Sequence, residues 1–371
     1  MASTRHLTVV VACLLVLPLA ALQRAKGTPP VRPQDEKIRQ SVAELVKARK
    51  IPGMIAAIAD HQNMLGIGSA GVRKAGDATR VTDEDLIHIG SCTKAMTSLV
   101  LATLVAEGTL TWETALVSVF PEIKEAIHAD FHQATLWQFV THRSGAAANP
   151  KNWWAHGDLD ISKRRLEILK ESLAAEPNKV GYFRYSNLGY LVAGCMAEKR
   201  TGKSWESLVK QRLFTPLDMK SADFGPPGKP RQVDQPWGHT KFGGSWWPKQ
   251  SDNAPALGPA GTVHCTMNDW AKFGALQLPK SKRTILSREQ LTRLTQAEGD
   301  YAAGWKVVNQ PWSRGPAFTH SGSNTMWYAT IWVAPGLNRV FLVATNSFDR
   351  NSGVVCNDMI LRLIELDQAT Q

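Results

Sequence analysis

The chain of 371 residues is 43% hydrophobic and 20% charged, a globular composition that excludes a disordered polymer. Its formal net charge of +11 favours anionic surroundings, but no basic run is interleaved with aromatics, so nucleic acid is excluded as a partner.

Residues 7–22 are nearly unbroken apolar sequence, preceded by Arg5 and followed by small residues up to Gly27. This pattern reads as a signal peptide over 1–27, with an uncleaved anchor as the alternative. No later stretch is apolar for long enough to span a bilayer, so no stable membrane span is expected once the leader is removed. The expected location is periplasmic or secreted. Four cysteines then remain, Cys92, Cys195, Cys265 and Cys356; their apolar settings suit buried free thiols, and no pairing follows from spacing.

Ile38, Val42, Leu45 and Val46 predict a helix over 35–49, stopped by Pro52-Gly53. Strands are expected over 54–59 and 64–70, joined by the turn-like Asp60-His61-Gln62-Asn63. Between 91 and about 294 the pattern is mainly helical. The stretch 225–261, with Trp237, Trp246 and Trp247, lacks periodicity and reads as a long loop walling a cleft. Further strands are expected over 303–308, 325–334 and 339–346, the last two joined at Pro335-Gly336-Leu337-Asn338, and a helix over 354–366 closes the chain. The expected fold is therefore α/β, with one antiparallel sheet built from both termini, flanked by helices and carrying a large helical insertion. The catalytic domain would occupy 28–371, its α/β part about 28–90 plus 300–371 and its helical part about 91–299.

The strongest chemical signal is Gly90-Ser91-Cys92-Thr93-Lys94, which opens an almost uncharged run ending at Gly108. Spacing of three places Ser91 and Lys94 on one helical face, and a helix apolar all round is buried. A lysine there loses its preference for the charged form and can accept the proton of Ser91. Ser207-Leu208-Val209-Lys210 has the same spacing but lies among Lys203, Glu206 and Arg212, where a lysine is merely solvated. Tyr185-Ser186-Asn187 supplies a phenol, which a neighbouring ammonium would draw toward phenolate, and an amide able to orient the lysine. His320-Ser321-Gly322-Ser323 is placed just before a strand, with Gly322 leaving room for substrate at the strand edge. The backbone N–H groups of Ser91 and Ser323 would form an oxyanion hole.

In this order the three elements match Ser-x-x-Lys, Tyr-x-Asn and Lys/His-x-Gly, and the chain resembles the class C β-lactamase-related family of penicillin-recognising serine hydrolases. That family includes D-alanyl-D-alanine carboxypeptidases, D-aminopeptidases and β-lactamase-fold esterases. Ile51-Pro52-Gly53, Thr141-His142-Arg143-Ser144-Gly145, Phe214-Thr215-Pro216-Leu217-Asp218-Met219 and the stretch 259–266 also resemble family landmarks. The resemblance implies a β-lactamase/transpeptidase-like fold, with Ser91, Lys94 and Tyr185 as catalytic residues and Asn187, His320, Ser321, Gly322 and Ser323 binding substrate. It implies no cofactor and no metal, and a small-molecule or peptidoglycan-type substrate carrying an ester, D-peptide or β-lactam carbonyl.

One position departs from the class C β-lactamases, which carry lysine where this chain has His320. The histidine resembles the peptidase and esterase branches and weakens the expectation of efficient β-lactam hydrolysis. The alternative function is a penicillin-binding sensor that acylates and turns over slowly. Ser251-Asp252-Asn253 and Arg200-Thr201-Gly202 imitate motifs of related enzymes but lie out of order. His128 and His132 lack further ligand groups and read as surface residues, and His142 and His264 read as structural.

Overall fold

The computed structural model describes Met1 and residues 32–370, so the leader expected over 1–27 falls outside the described residues. No helix among those residues is long and apolar enough to cross a membrane.

The first helix, Pro33–Arg49, starts with proline where no N–H partner is needed, carries Asp35 and Glu36 in its first turn and Lys47 and Arg49 in its last. Lys50, in the left-handed region, closes it. Strands β1 (Gly53–Ala59) and β2 (Met64–Gly71) follow as a hairpin. At the other end of the chain come β8 (Lys306–Asn309), β9 (Pro316–Ser323), β10 (Tyr328–Ala334) and β11 (Arg339–Thr345), then the helix Ser352–Gln368. These six strands form one antiparallel sheet in the order β2-β1-β11-β10-β9-β8, closed by pairing β1 with β11 in the register Met54↔Thr345 to Ala59↔Val340. The sheet thus joins both ends of the chain, as expected.

The central strands are buried on both faces, which is why β1 reads as a continuous apolar run. Met54, Ala56 and Ile58 turn toward the two terminal helices and meet Ile38, Val42, Met359 and Leu363. Ile55, Ala57 and Ala59 turn to the opposite face, toward the larger core of the helical region. Each such aliphatic side chain contributes about 1.5–3 kcal/mol on burial, so a charge at Val42 would undock the first helix.

The region between contains the helix Thr93–Ala106, buried from Thr93 to Leu104, and the helices Ile161–Leu173 and Asn187–Thr201. It is less purely helical than expected. A small sheet joins β3 (Ile87–His88), β4 (Asp223–Phe224) and β7 (Val263–Cys265). The Trp-rich stretch expected to be a loop contains a hairpin, β5 (Gly238–Phe242) with β6 (Ser245–Lys249). Its two-residue turn is Gly243-Gly244, both at positive φ, the conformation such a turn demands.

A second correction bears on chemistry. His320-Ser321-Gly322-Ser323 does precede a strand, β10, but is itself the end of another, β9, with Tyr328↔Ser323 and Ile331↔His320 in register. The expected strand over 325–334 begins only at Tyr328, because Asn324 caps a turn through Thr325 at positive φ. The four cysteines are free and buried.

Candidate active site

The turn Gly90–Cys92 leads from β3 into the helix Thr93–Ala106 and lies against the face of β9. Two glycines permit that approach. Gly90 is at φ +50, and a β-carbon on it would lie 2.4 Å from the amide nitrogen of Ser323. A β-carbon on Gly322 would lie 2.0 Å from the carbonyl oxygen of Ile89. Gly322 is expected to leave room for substrate; the space of its missing side chain is instead filled by the turn that carries Ser91. The Ser91 and Ser323 backbones are thereby brought together. Beyond Thr319, the last residue paired with β8, the outer edge of β9 has no strand partner among the described residues.

Lys94 is wholly buried one turn from Ser91, and its Nζ stands 3.1 Å from Ser91 Oγ. The same nitrogen donates to Asn187 Oδ1 at 2.7 Å and to the carbonyl oxygen of Ala260 at 2.7 Å. Neither oxygen can donate in return. Burial pushes the Lys94 pKa well below the usual lysine value, so the amine is neutral more readily than in water. A neutral amine has two N–H bonds and one lone pair. With both N–H groups held by Asn187 and Ala260, the lone pair is left for Ser91.

Asn187 begins the helix Asn187–Thr201, which Ser186 caps by accepting from Gly189 N at 2.8 Å. Its Nδ2 donates to Asn149 Oδ1 at 2.7 Å, which turns the amide oxygen toward Lys94. Tyr185, one residue before the cap, lies beside Ser91, and its ring centroid is 4.9 Å from Lys94 Nζ. Burial raises the Tyr185 pKa above the usual phenol value. The expectation of a phenol drawn toward phenolate is therefore corrected: the resting pair is neutral phenol with a lysine biased to the neutral amine.

His320 is also corrected. The resemblance expects it to bind substrate. Its ring is buried, with Nε2 3.2 Å from the Tyr301 hydroxyl and Nδ1 2.8 Å from the Ser321 carbonyl oxygen. Burial, aided by the nearby Lys94, pushes its pKa down to about 3. Ser321 is exposed on the strand beside it and Ser323 is half-buried.

The competing strings lie elsewhere. Lys210 is exposed and pairs with Asp223 at 2.9 Å, and Arg200-Thr201-Gly202 ends a helix with Gly202 in the left-handed region. Asp252 has a structural place that its motif did not suggest. Its Oδ1 lies 2.8 Å from His88 Nε2, while His88 Nδ1 accepts from Gly90 N at 3.1 Å, bracing the nucleophile turn from behind. Asn253 Nδ2 donates to Gly261 O at 2.8 Å, next to the Ala260 carbonyl. Sequence reading missed His88, Asn149, Ala260 and Tyr301 as members of the site. Only Ala260 carried a signal, inside the landmark stretch 259–266.

A family model described as Beta-lactamase matches residues 38–364. Penicillin-binding protein 4 of Amycolatopsis lactamdurans is 25% identical over 316 residues, covering 80% of this chain and 81% of that protein. Esterase EstB of Burkholderia gladioli is 26% identical over 204 residues, 49% of each. The solved structure of D-alanine carboxypeptidase AmpC from Burkholderia cenocepacia superposes with a TM-score of 0.71 at 19% identity, over 88% of this chain and 97% of that one. The chain belongs to the Beta-lactamase family and has the β-lactamase/transpeptidase-like fold.

Proposed function

We propose that this member of the Beta-lactamase family is a serine hydrolase that forms an acyl-enzyme on Ser91, with esters and D-peptides favoured over β-lactams as substrates. The observation that carries the reading is the Lys94 amine, buried 3.1 Å from Ser91 Oγ with its other two partners restricted to accepting.

Ser91 Oγ attacks the carbonyl carbon while its proton passes to the Lys94 lone pair. The developing oxyanion is met by the Ser91 and Ser323 N–H groups, each such donor being worth roughly 3–4 kcal/mol in the transition state. The bond to the leaving group breaks, and the leaving atom takes a proton through Tyr185, which touches Ser91. Water then attacks the acyl carbon, gives its proton back along the same route, and Ser91 is released. Asn187 holds the lysine in place throughout. The buried, neutral His320 offers no permanent cation to a substrate carboxylate, which supports the preference for neutral esters over β-lactams. The printed names of the relatives, a penicillin-binding protein, an esterase and a D-alanine carboxypeptidase, are consistent with this range. With the leader expected over 1–27, the enzyme is placed in the periplasm or outside the cell.

Intact-mass measurement with a penicillin, an activated short ester and a D-Ala-D-Ala peptide tests the reading. A transient adduct of the acyl mass, absent from Ser91→Ala, is expected with the ester. A permanent adduct with penicillin and no turnover of anything else would favour a sensor. Absence of any adduct, with turnover surviving in Ser91→Ala, would overturn the proposal.

A further inference from the structure

Between the two walls of the site runs a line of buried polar groups that the proposed chemistry does not use. Ser186 N donates to His142 Nδ1 at 3.1 Å; His142 Nε2 lies 3.1 Å from the Tyr301 hydroxyl; that hydroxyl lies 3.2 Å from His320 Nε2; and His320 Nδ1 lies 2.8 Å from the Ser321 carbonyl oxygen. His142, Tyr301 and His320 are all buried.

The two ends fix every proton between them. A backbone N–H can only donate, so His142 Nδ1 is an acceptor and its proton sits on Nε2, pointing at Tyr301. A backbone carbonyl can only accept, so His320 carries its proton on Nδ1 and presents a lone pair at Nε2. Tyr301 therefore accepts from His142 and donates to His320. Tyr190, whose phenol also borders Tyr301, donates its own proton to the Val140 carbonyl at 2.9 Å and so cannot supply the proton that Tyr301 accepts; its oxygen is a second acceptor, but His320 Nε2 has no other donor among the described residues. Burial and the nearby Lys94 push both imidazoles below their ordinary range, which keeps them neutral and the direction unchanged.

We infer that Tyr301 is a positioning residue: through a one-way chain from Ser186 to Ser321 it clamps the loop carrying Tyr185 and Asn187 to the strand carrying Ser323, locking His142 and His320 in opposite neutral tautomers. Both termini are backbone groups, so the chain cannot deliver a proton to substrate. It acts on geometry alone. It also occupies both nitrogens of His320, leaving that side chain no free group for a substrate carboxylate. The inference rests on the proposed hydrolase reading only for what the clamp serves; the clamp itself is a property of the folded chain.

The test is a long-range proton–nitrogen NMR spectrum of the full chain with labelled histidine, the two rings assigned with His142→Gln and His320→Gln. At pH 7 the native protein should hold His320 with its proton on Nδ1 and His142 with its proton on Nε2. Tyr301→Phe removes only the hydroxyl. The backbone ends still set both tautomers, so it should move the His320 Nε2 chemical shift by loss of its hydrogen bond and lower kcat for an activated ester about tenfold, the size expected from one buried hydrogen-bonded group, with KM little changed. His320 protonated on Nε2, or doubly protonated, in the native chain would overturn the inference without any variant having to fold. An unchanged His320 Nε2 shift together with an unchanged kcat in Tyr301→Phe would overturn it as well. Failure of Ser91 to acylate would sink the hydrolase reading instead and leave the tautomers to decide the clamp.

Discussion

Gly322 and Ser91 face each other so closely that a β-carbon on Gly322 would lie 2.5 Å from the Ser91 amide nitrogen. The glycine belongs to a strand and has no turn to make. Its missing side chain lets the sheet touch the turn that carries Ser91.

Gly322→Ala should therefore separate the two backbones that supply the oxyanion donors. Overpacking of this kind costs about 1–3 kcal/mol of stability, and displacing one donor lowers the acylation rate roughly a hundredfold or more. Thermal unfolding and single-turnover acylation of an ester check both numbers. An unchanged rate would mean that β9 does not set the oxyanion geometry.

Ser91→Ala should abolish labelling by a serine-directed covalent probe, whereas Ser207→Ala should leave it intact, since Lys210 is exposed and paired with Asp223. Lys94→Arg should fail as well, because guanidinium stays charged and has no lone pair for the proton. In the native protein acylation should rise with pH as Lys94 loses its proton, and should level off well below the usual lysine pKa. Peptide mapping of the label and an acylation profile over pH 5–10 decide the matter.

His239 adds a linked stability effect to that of His320. Burial pushes their pKa values down to about 4 and about 3, so both are neutral in the folded chain, while unfolded they take up protons below about 6.5. Between those limits the unfolded state binds more protons. Stability is thus full above about pH 6.5 and falls with decreasing pH, by at most about 1.4 kcal/mol per pH unit for each ring. Urea unfolding at pH 7, 5.5 and 4.5 should show the slope, and His239→Asn should reduce it by one proton. The same value for His320 predicts no histidine-shaped limb near pH 6.5 in D-peptide turnover.

Arg165 is wholly buried between Glu198, 2.5 Å from its Nη1, and Glu206, and also donates to the carbonyls of Pro255 and Ala256. It fixes the segment that ends in the Ala260 carbonyl, a partner of Lys94. Arg165→Met should cost about 3–5 kcal/mol, because it strands the buried Glu198 carboxylate, and should reduce acylation in the molecules that remain folded. Chemical denaturation combined with active-site titration separates the two effects.

Local spacing was enough to place Ser91 and Lys94 on one helical face, to make Pro33–Arg49 and Ser352–Gln368 helices, and to assign β1, β2 and β11. These are properties of side chains within a few residues of one another, and sequence carries them directly. The Gly243-Gly244 hairpin and β9 were missed because neither segment alternates cleanly: tryptophans fill both faces of the first, and the second ends in small polar residues packed against another element. Asp252 beside His88 and Tyr301 between His142 and His320 leave no local trace, and the Ala260 carbonyl on Lys94 has only its place in the stretch 259–266. Their partners are separated by more than a hundred residues, except Tyr301 and His320, which are 19 apart with only His320 on a strand, and only the closed fold brings them together. The same closure decided protonation. Sequence named a lysine, a tyrosine and a histidine, but only burial around them determines that the phenol and the imidazole are held neutral and the amine is biased the same way, since removing water costs the charged form whatever the residue.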